Sequence, residues 1–224
     1  MKAVAVVPAY QEEDILSETV STLLALEGVE RVLVVDDAST DNSATAARTA
    51  GATVVVHNRN LGKGRSLNRV LPELDFECLL LIDGDLGVHA GEAGLLLEPV
   101  LTGKADLAIA AFPAPLKKGG FGFVQGLARR GIKRLTGRVV SSPLSGQRAM
   151  TGELYRAVAP FERGFGVEVG MTVDALRNRF RVVEIETTMS HRETGRDFEG
   201  FMHRGHQFID VSMALLKRLL AGSG

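Results

Sequence analysis

Short apolar runs alternate along this chain with longer segments of helical period. "AVAVV" (3–7), "RVLVVDD" (31–37), "TVVVH" (53–57), "CLLLID" (78–83) and "ADLAIAAF" (105–112) are apolar over strand-like lengths, and the first three are rich in valine. This pattern predicts five strands covered on both faces. Between them, Ile15, Leu16, Thr19, Val20, Leu23 and Leu24 recur at helical spacing, and Gly28 can end that helix. Ser39, Thr40 and Asp41 offer N-caps for a second helix running to Ala50 and closed by Gly51. "GKGRSLNRVLPEL" opens a third helix limited by Pro72, and "AGEAGLLLEPVLTG" is mostly helical.

Strand–helix–strand repetition with continuous apolar strands predicts an α/β fold with a mostly parallel, Rossmann-like sheet flanked by helices. Right-handed crossovers then bring the strands' carboxyl ends to one edge, where such sheets bind ligands. The segments expected there are all polar: "PAYQEE", "DDASTDNS", "NRNLGKG" and "DGDLG". Their shared placement says more than any one of them.

The second half is less regular. "FPAPLKKGG" reads as a loop, "FGFVQGLARRGIKRL" as a helix and "SSPLSGQRAM" as a turn entering a short strand. "GVEVGMTVDALRNRF" reads as a helix, "RVVEIETT" as a strand, "MSHRETGRDFEG" as a polar loop and "FMHRGHQFIDVSMALLKRLL" as an amphipathic helix. No convincing linker interrupts residues 1–224, so a single domain is expected.

Composition narrows the class. Hydrophobic residues are 45% of the 224, enough for a large core. The net charge of -1 argues against bulk nucleic-acid binding. The lone Cys78 sits in an apolar run and is expected to be buried. With neither a signal peptide nor a span of the roughly 20 apolar residues a membrane crossing needs, the expectation is a cytoplasmic protein, at most peripheral to a membrane.

Particular residue types then suggest chemistry. Asp83 and Asp85, with a glycine between, can converge on Mg²⁺ or Mn²⁺, which take one or two carboxylates plus substrate phosphates; alone, D-x-D reads rather as an acidic turn, and its place at the sheet edge reverses that balance. His191 would add an imidazole ligand if its loop returns to the same edge. "NLGKG" offers glycines and Lys63 to phosphates, or is a plain turn. Asp36 and Asp37 can bond a ribose or base, or cap a helix. Glu168 is a substrate ligand, a base or a helix-terminal acid. Arg129, Arg130, Lys133 and Arg134 suit a phosphorylated acceptor, an anionic membrane or a solvated face. Phe208, Ile209, Met213, Leu216 and Leu220 form a stripe for core or homodimer packing, or for a membrane.

"VVPAYQEE", "VVDDASTDNS", "NLGKG" and "LLLIDGDL", in that order over residues 1–86, closely resemble the N-terminal half of family 2-like glycosyltransferases of the GT-A fold. "SPLSGQRAM", "GFGVEVGM" and "HRETG" look like glucosyl-3-phosphoglycerate synthase and its relatives. The resemblance implies a metal-dependent glycosyltransferase that moves a sugar from a nucleotide-sugar, a UDP- or GDP-sugar, to a small phosphorylated acid or a lipid-linked acceptor. Residues 1–112 would be the nucleotide-sugar-binding half and 113–224 the acceptor-binding half. It implies that Pro8, Ala9, Tyr10 and Glu12 line the nucleoside pocket, that Asp37 or Asp36 contacts the base and that Lys63 reaches the nucleotide. By the same pattern Asp85, with Asp83, holds metal and donor sugar, His191 is a further metal ligand, and Gly146 and Glu168 flank sugar and acceptor. Two rival classes carry less. A nucleotidyltransferase needs a glycine-rich basic loop after the first strand, which "PAYQEED" is not. A non-catalytic nucleotide-sugar-binding protein has no need of an intact D-G-D.

Overall fold

The five apolar runs form β1 (Ala3–Ala9), β2 (Val29–Asp36), β3 (Thr53–Val56), β4 (Cys78–Leu81) and β5 (Leu107–Ala111). Two further strands, β6 (Arg148–Thr151) and β7 (Val182–Glu186), come from the second half. The computed structural model describes residues 2–112, 121–189 and 198–221, and within these the strands make one sheet in the order β3-β2-β1-β4-β6-β5-β7. The helices are α1 (Leu16–Leu24), α2 (Ser43–Thr49), α3 (Lys63–Val70), α4 (Ala93–Leu101), α5 (Phe121–Thr136), α6 (Gly152–Val158), α7 (Gly166–Arg177) and α8 (Phe198–Ala221).

Strand alternation sends successive side chains to opposite faces of the sheet. Val4, Val6, Leu33, Val35, Leu79 and Leu81 meet one core, shared with Leu67 of α3, Ile132 of α5, Val169 of α7 and Val211 of α8. Ala5, Val7, Val34 and Leu80 meet the other, shared with Leu16 and Leu23 of α1 and Leu96 of α4. Because both faces are covered, β4 can be wholly apolar and wholly buried, as can Cys78, whose thiol burial pushes up to about 12. No helix among the described residues is long and apolar enough to cross a membrane.

One expectation needs correcting. Not every strand ends at the same edge, because β6 runs antiparallel to both β4 and β5. It starts where β4 finishes, with Arg148 opposite Leu81. The reversal has a functional consequence: it brings Gly146 and Gln147, just before β6, to the edge where Asp83 lies.

Other differences are local. Helix α6 lacks a long apolar period but has a cap, since Thr151 accepts from the Leu154 N–H at 3.2 Å. Helix α4 begins at Ala93, because residues Gly84–Glu92 form a tighter 3₁₀ stretch broken at Gly87, whose φ is +53°. The expected caps of α2 are used elsewhere: none of Ser39, Thr40 and Asp41 is its N-cap, which is Asn42.

Candidate active site

Two polar turns at the sheet edge lock each other. The Gln11 N–H donates to Ser39 Oγ (3.0 Å), the Glu12 N–H to Ser43 Oγ (2.8 Å) and the Glu13 N–H to Asp41 Oδ2 (3.1 Å). In return the Asn42 N–H donates to Glu13 Oε2 (2.8 Å). These bonds hold Gln11 and Ala38 in left-handed backbone, at φ +59° and +67°. Such a conformation costs a non-glycine residue roughly 1–2 kcal/mol and persists where neighbours enforce it. Asp36 belongs to this scaffold. It is buried, and its Oδ1 accepts from the Ser39 N–H (3.2 Å) and the Ser39 hydroxyl.

Asp37 fixes the next turn. Its Oδ1 accepts from the Leu61 N–H (2.9 Å) and its Oδ2 from the Gly62 N–H (2.7 Å). Gly62, at φ +79° and ψ 149°, takes a backbone shape that side chains disfavour, and α3 starts one residue later at Lys63. The lysine ammonium therefore enters the site from a helix N-terminus.

Lys63 Nζ lies 2.7 Å from Asp83 Oδ1 and 3.0 Å from Glu168 Oε1. Burial works to lower its pKa, but the charges of Asp83 and Glu168 override this and hold it above the ordinary lysine value. Gln147 Nε2 donates to the second Asp83 oxygen at 2.8 Å. Gly146 closes over the same pair, since a Cβ there would come within 2.5 Å of Asp83 Oδ2 and 2.7 Å of Lys63 Nζ. We expect Gly146→Ala to displace Lys63 or Asp83 and to weaken nucleotide binding at least about tenfold while shifting thermal stability little; unaltered affinity in a titration would contradict this packing.

These groups border a cleft of about 340 Å³ lined by Pro8, Ala9, Tyr10, Glu12, Asp37, Lys63, Ser66, Asp83, Asp85 and Phe165. Eight of the residues singled out from the sequence meet here. Asp36, Gly146 and Glu168 stand behind the wall, supporting the turn, Asp83 and Lys63 in turn. His191 lies outside the described residues.

Glu12 is the electrostatic oddity. Its Oε2 is buried without a hydrogen-bond partner and packs on Gly84, where a Cβ would come within 1.8 Å of it. Burial first, then the charges of Asp85 and Asp83, push its pKa up to about 8. A carboxyl raised on folding stabilises the fold fully below its unfolded value and loses that contribution as pH rises through the folded value. Metal-free protein should therefore lose stability between about pH 4.5 and 8. Glu12→Gln should flatten that slope and be more stable at pH 8, by about 2 kcal/mol or more. Melting curves across this range in EDTA check it, and parallel curves for the two proteins would contradict it.

The same group of carboxyls suits a divalent cation. Glu12, Asp83 and Asp85 line the cleft, with Lys63 facing Asp83, and the three carboxyl groups offer hard oxygen. Among the described residues, no three His, Cys, Asp or Glu side chains are grouped closely enough to enclose an ion. Mg²⁺ and Mn²⁺ can be held by one or two carboxylates, because phosphate oxygens and water complete their shells. Asp83 accepts from Lys63 and Gln147, and Asp85, two residues on, lines the same cleft as a second candidate ligand.

Several contributors are not evident in the sequence. Gln147 and Arg148 follow "PLSG" and read as a turn. Arg148 is fully buried; burial pushes its pKa down to about 10, against the raising charges of Glu168 and Glu184. It donates to the Ser145 carbonyl (2.8 Å), the Thr172 hydroxyl (2.8 Å) and the Pro143 carbonyl (3.2 Å), tying the segment before β6 to α7. Phe165 lines the cleft, and its N–H donates to Asp210 Oδ2 of α8 at 3.2 Å.

Comparison with known proteins places this geometry. The family model described as glycosyl transferase family 2 matches residues 4–155. The glycosyltransferase AglJ of Haloferax volcanii is 30% identical over 195 residues, covering 85% of this chain and 63% of the relative. A glucosyl-3-phosphoglycerate synthase of Mycolicibacterium paratuberculosis is 32% identical over 192 residues, covering 75% and 58%. The chain thus spans about three-fifths of the length of these curated relatives. Among solved structures, glucosyl-3-phosphoglycerate synthase of Mycobacterium tuberculosis in complex with Mn²⁺, UDP and glucosyl-3-phosphoglycerate superposes with a TM-score of 0.79 at 28% identity, over 97% of this chain and 79% of that one. The same enzyme with Mg²⁺ and UDP gives 0.81 at 26% identity, over 97% and 79%. With a family model matched over more than half its length, and with these carboxylates gathered at the strand ends, the chain belongs to glycosyl transferase family 2.

Proposed function

We propose that this chain transfers a glycosyl group from a uridine-diphosphate sugar to a small phosphorylated acid, with Mg²⁺ or Mn²⁺ bound at Asp85. The observation that carries the reading is the convergence of Tyr10, Asp37, Lys63, Asp83 and Asp85 on one cleft at the carboxyl ends of β1, β2 and β4. The similarity to a synthase solved with UDP-glucose, phosphoglyceric acid and Mn²⁺ supports the choice of donor and acceptor.

Each group has a task in this reading. Tyr10, 48% exposed at the cleft mouth, offers a ring face to the base. Asp37 holds the turn that aims α3, so Lys63 and the helix N-terminus meet the negative diphosphate. The ion, when bound, neutralises charge developing on the diphosphate. Asp83, pinned by Lys63 and Gln147, sets the floor beneath the sugar. The acceptor hydroxyl attacks the anomeric carbon, the bond to the diphosphate breaks, and UDP departs with the electron pair as the hydroxyl proton is released. Glu168 keeps Lys63 aligned throughout.

The test is release of UDP from UDP-glucose with Mn²⁺, with and without 3-phosphoglycerate. Acceptor-dependent release supports the proposal. Donor binding without acceptor-dependent release overturns the acceptor assignment. A lipid-linked phosphate is the second reading, favoured by an exposed apolar face on α8.

A further inference from the structure

Helix α8 carries two apolar faces, and only one of them is buried. Val211, Ala214 and Leu215 enter the core, with Gln207 and Arg218 beside them. Phe208, Ile209, Met213, Leu216 and Leu220 are between 39% and 68% exposed. At about 100° per residue these five fall within an arc of about 140°. Scattered surface leucines need no explanation, but a contiguous face of this kind marks an interaction site.

Cations edge the face on its α5 side, and an ion pair borders the other. Helix α5 lies alongside α8: Phe123 stacks on Phe208 with centroids 5.7 Å apart, and Gly131 abuts Leu215. Both anchors advance together along the chain, so the helices run in the same direction. Arg130 and Arg134 lie seven and eleven residues beyond Phe123, within about 20° of its line on α5, and both are exposed. They therefore border the α8 face on its Phe208 side. Lys217, 71% exposed, borders the opposite side. The carboxylates near that second edge are already engaged, Glu162 with Lys217 and Arg218, and Asp210 with the Phe165 N–H.

We propose that this α5–α8 face docks on an anionic lipid bilayer, its apolar arc entering the headgroup boundary and Arg130 and Arg134 meeting lipid phosphates. An apolar helix face rimmed by basic residues is the form interfacial helices take. A second copy of this chain fits less well. Pairing the face with itself about a two-fold axis sets the arginine edge either against the partner's arginine edge, which like charges oppose, or against the edge where Glu162 already neutralises Lys217, which offers the arginines no free countercharge. Docking would also bring the cleft's Phe165 wall, bonded to Asp210 of α8, toward the bilayer.

Co-sedimentation of the whole chain with vesicles tests this without any donor or acceptor, so its outcome is independent of the transferase reading. One set is phosphatidylcholine alone and the other contains about 30 mol% phosphatidylglycerol. We expect binding to the anionic set, weakened by high salt. It should fall at least about tenfold in Ile209→Glu/Leu216→Glu and, independently, in Arg130→Glu/Arg134→Glu, while UDP affinity stays unchanged in both variants. Absence of wild-type binding to anionic vesicles overturns the proposal. So does binding that neither variant reduces, as does a dimer in sedimentation velocity that Ile209→Glu/Leu216→Glu dissolves while vesicle binding persists.

Discussion

Asp85→Ala should reduce sugar transfer at least about a thousandfold, because it removes the carboxylate we propose as the holder of the ion on the leaving diphosphate. The fold should survive. Asp85 lies at the cleft wall beyond β4, and its charge is the largest contribution, after burial itself, that pushes up the Glu12 pKa. Removing it relieves that repulsion, so metal-free stability should hold or rise slightly, and the Glu12 pKa should fall from about 8. Turnover assays, melting curves and a carbon-detected titration of the Glu12 carboxyl separate these effects. Transfer within tenfold of wild type would remove Asp85 from the machinery.

Lys63→Met should damage both stability and binding. The lysine bridges Asp83 and Glu168, and Glu168 is buried. Taking away one member of a buried pair costs more than the pair contributes, because the remaining charge stays in low dielectric. Here two carboxylates remain, so a loss of about 3 kcal/mol is expected. The sign of the pH dependence follows from the raised lysine value. The contribution is fully present below the unfolded lysine value near 10.4 and is lost only as pH rises through the higher folded value. The variant should therefore be less stable than wild type across the neutral range, with the difference closing only in strong alkali. Adding Asp83→Asn should recover part of the loss. Urea midpoints measure both, and a single variant as stable as wild type would contradict the bridge.

The first half of the site is legible in the sequence for a physical reason. Parallel strands covered on both faces must be apolar throughout, so Asp36, Asp37, Asp83 and Asp85 stand out at the points where the apolar runs stop. Crossover handedness then places those points together. The second half gives no such contrast. The segment before β6 reaches the site only because β6 runs antiparallel, and nothing in "PLSGQRAM" states a strand direction. Gln147 and Arg148 are therefore missed, although a glutamine and an arginine inside an apolar stretch signal buried polar partners. Helix α8 fails differently. Its sequence has two apolar faces, and periodicity alone does not tell which of them the core takes.

Several of the carboxylates singled out from the sequence also make supporting contacts. Asp36 bonds the turn that follows it, Asp37 pins the start of α3, and Glu168 steadies Lys63 from behind. Carboxylates at a sheet edge attract functional readings, but here a good part of their capacity goes into holding loop backbone rigid. That rigidity is what a binding site for a charged, flexible diphosphate requires.

The central claim is that the cleft binds a nucleoside diphosphate through a divalent ion held at Asp85. Calorimetric titration of UDP, in Mn²⁺ and again in EDTA, tests it most directly. The account predicts at least about tenfold tighter binding with Mn²⁺, and loss of that gain in Asp85→Ala. Equal affinity in EDTA, or a manganese-dependent gain that persists in Asp85→Ala, would contradict it.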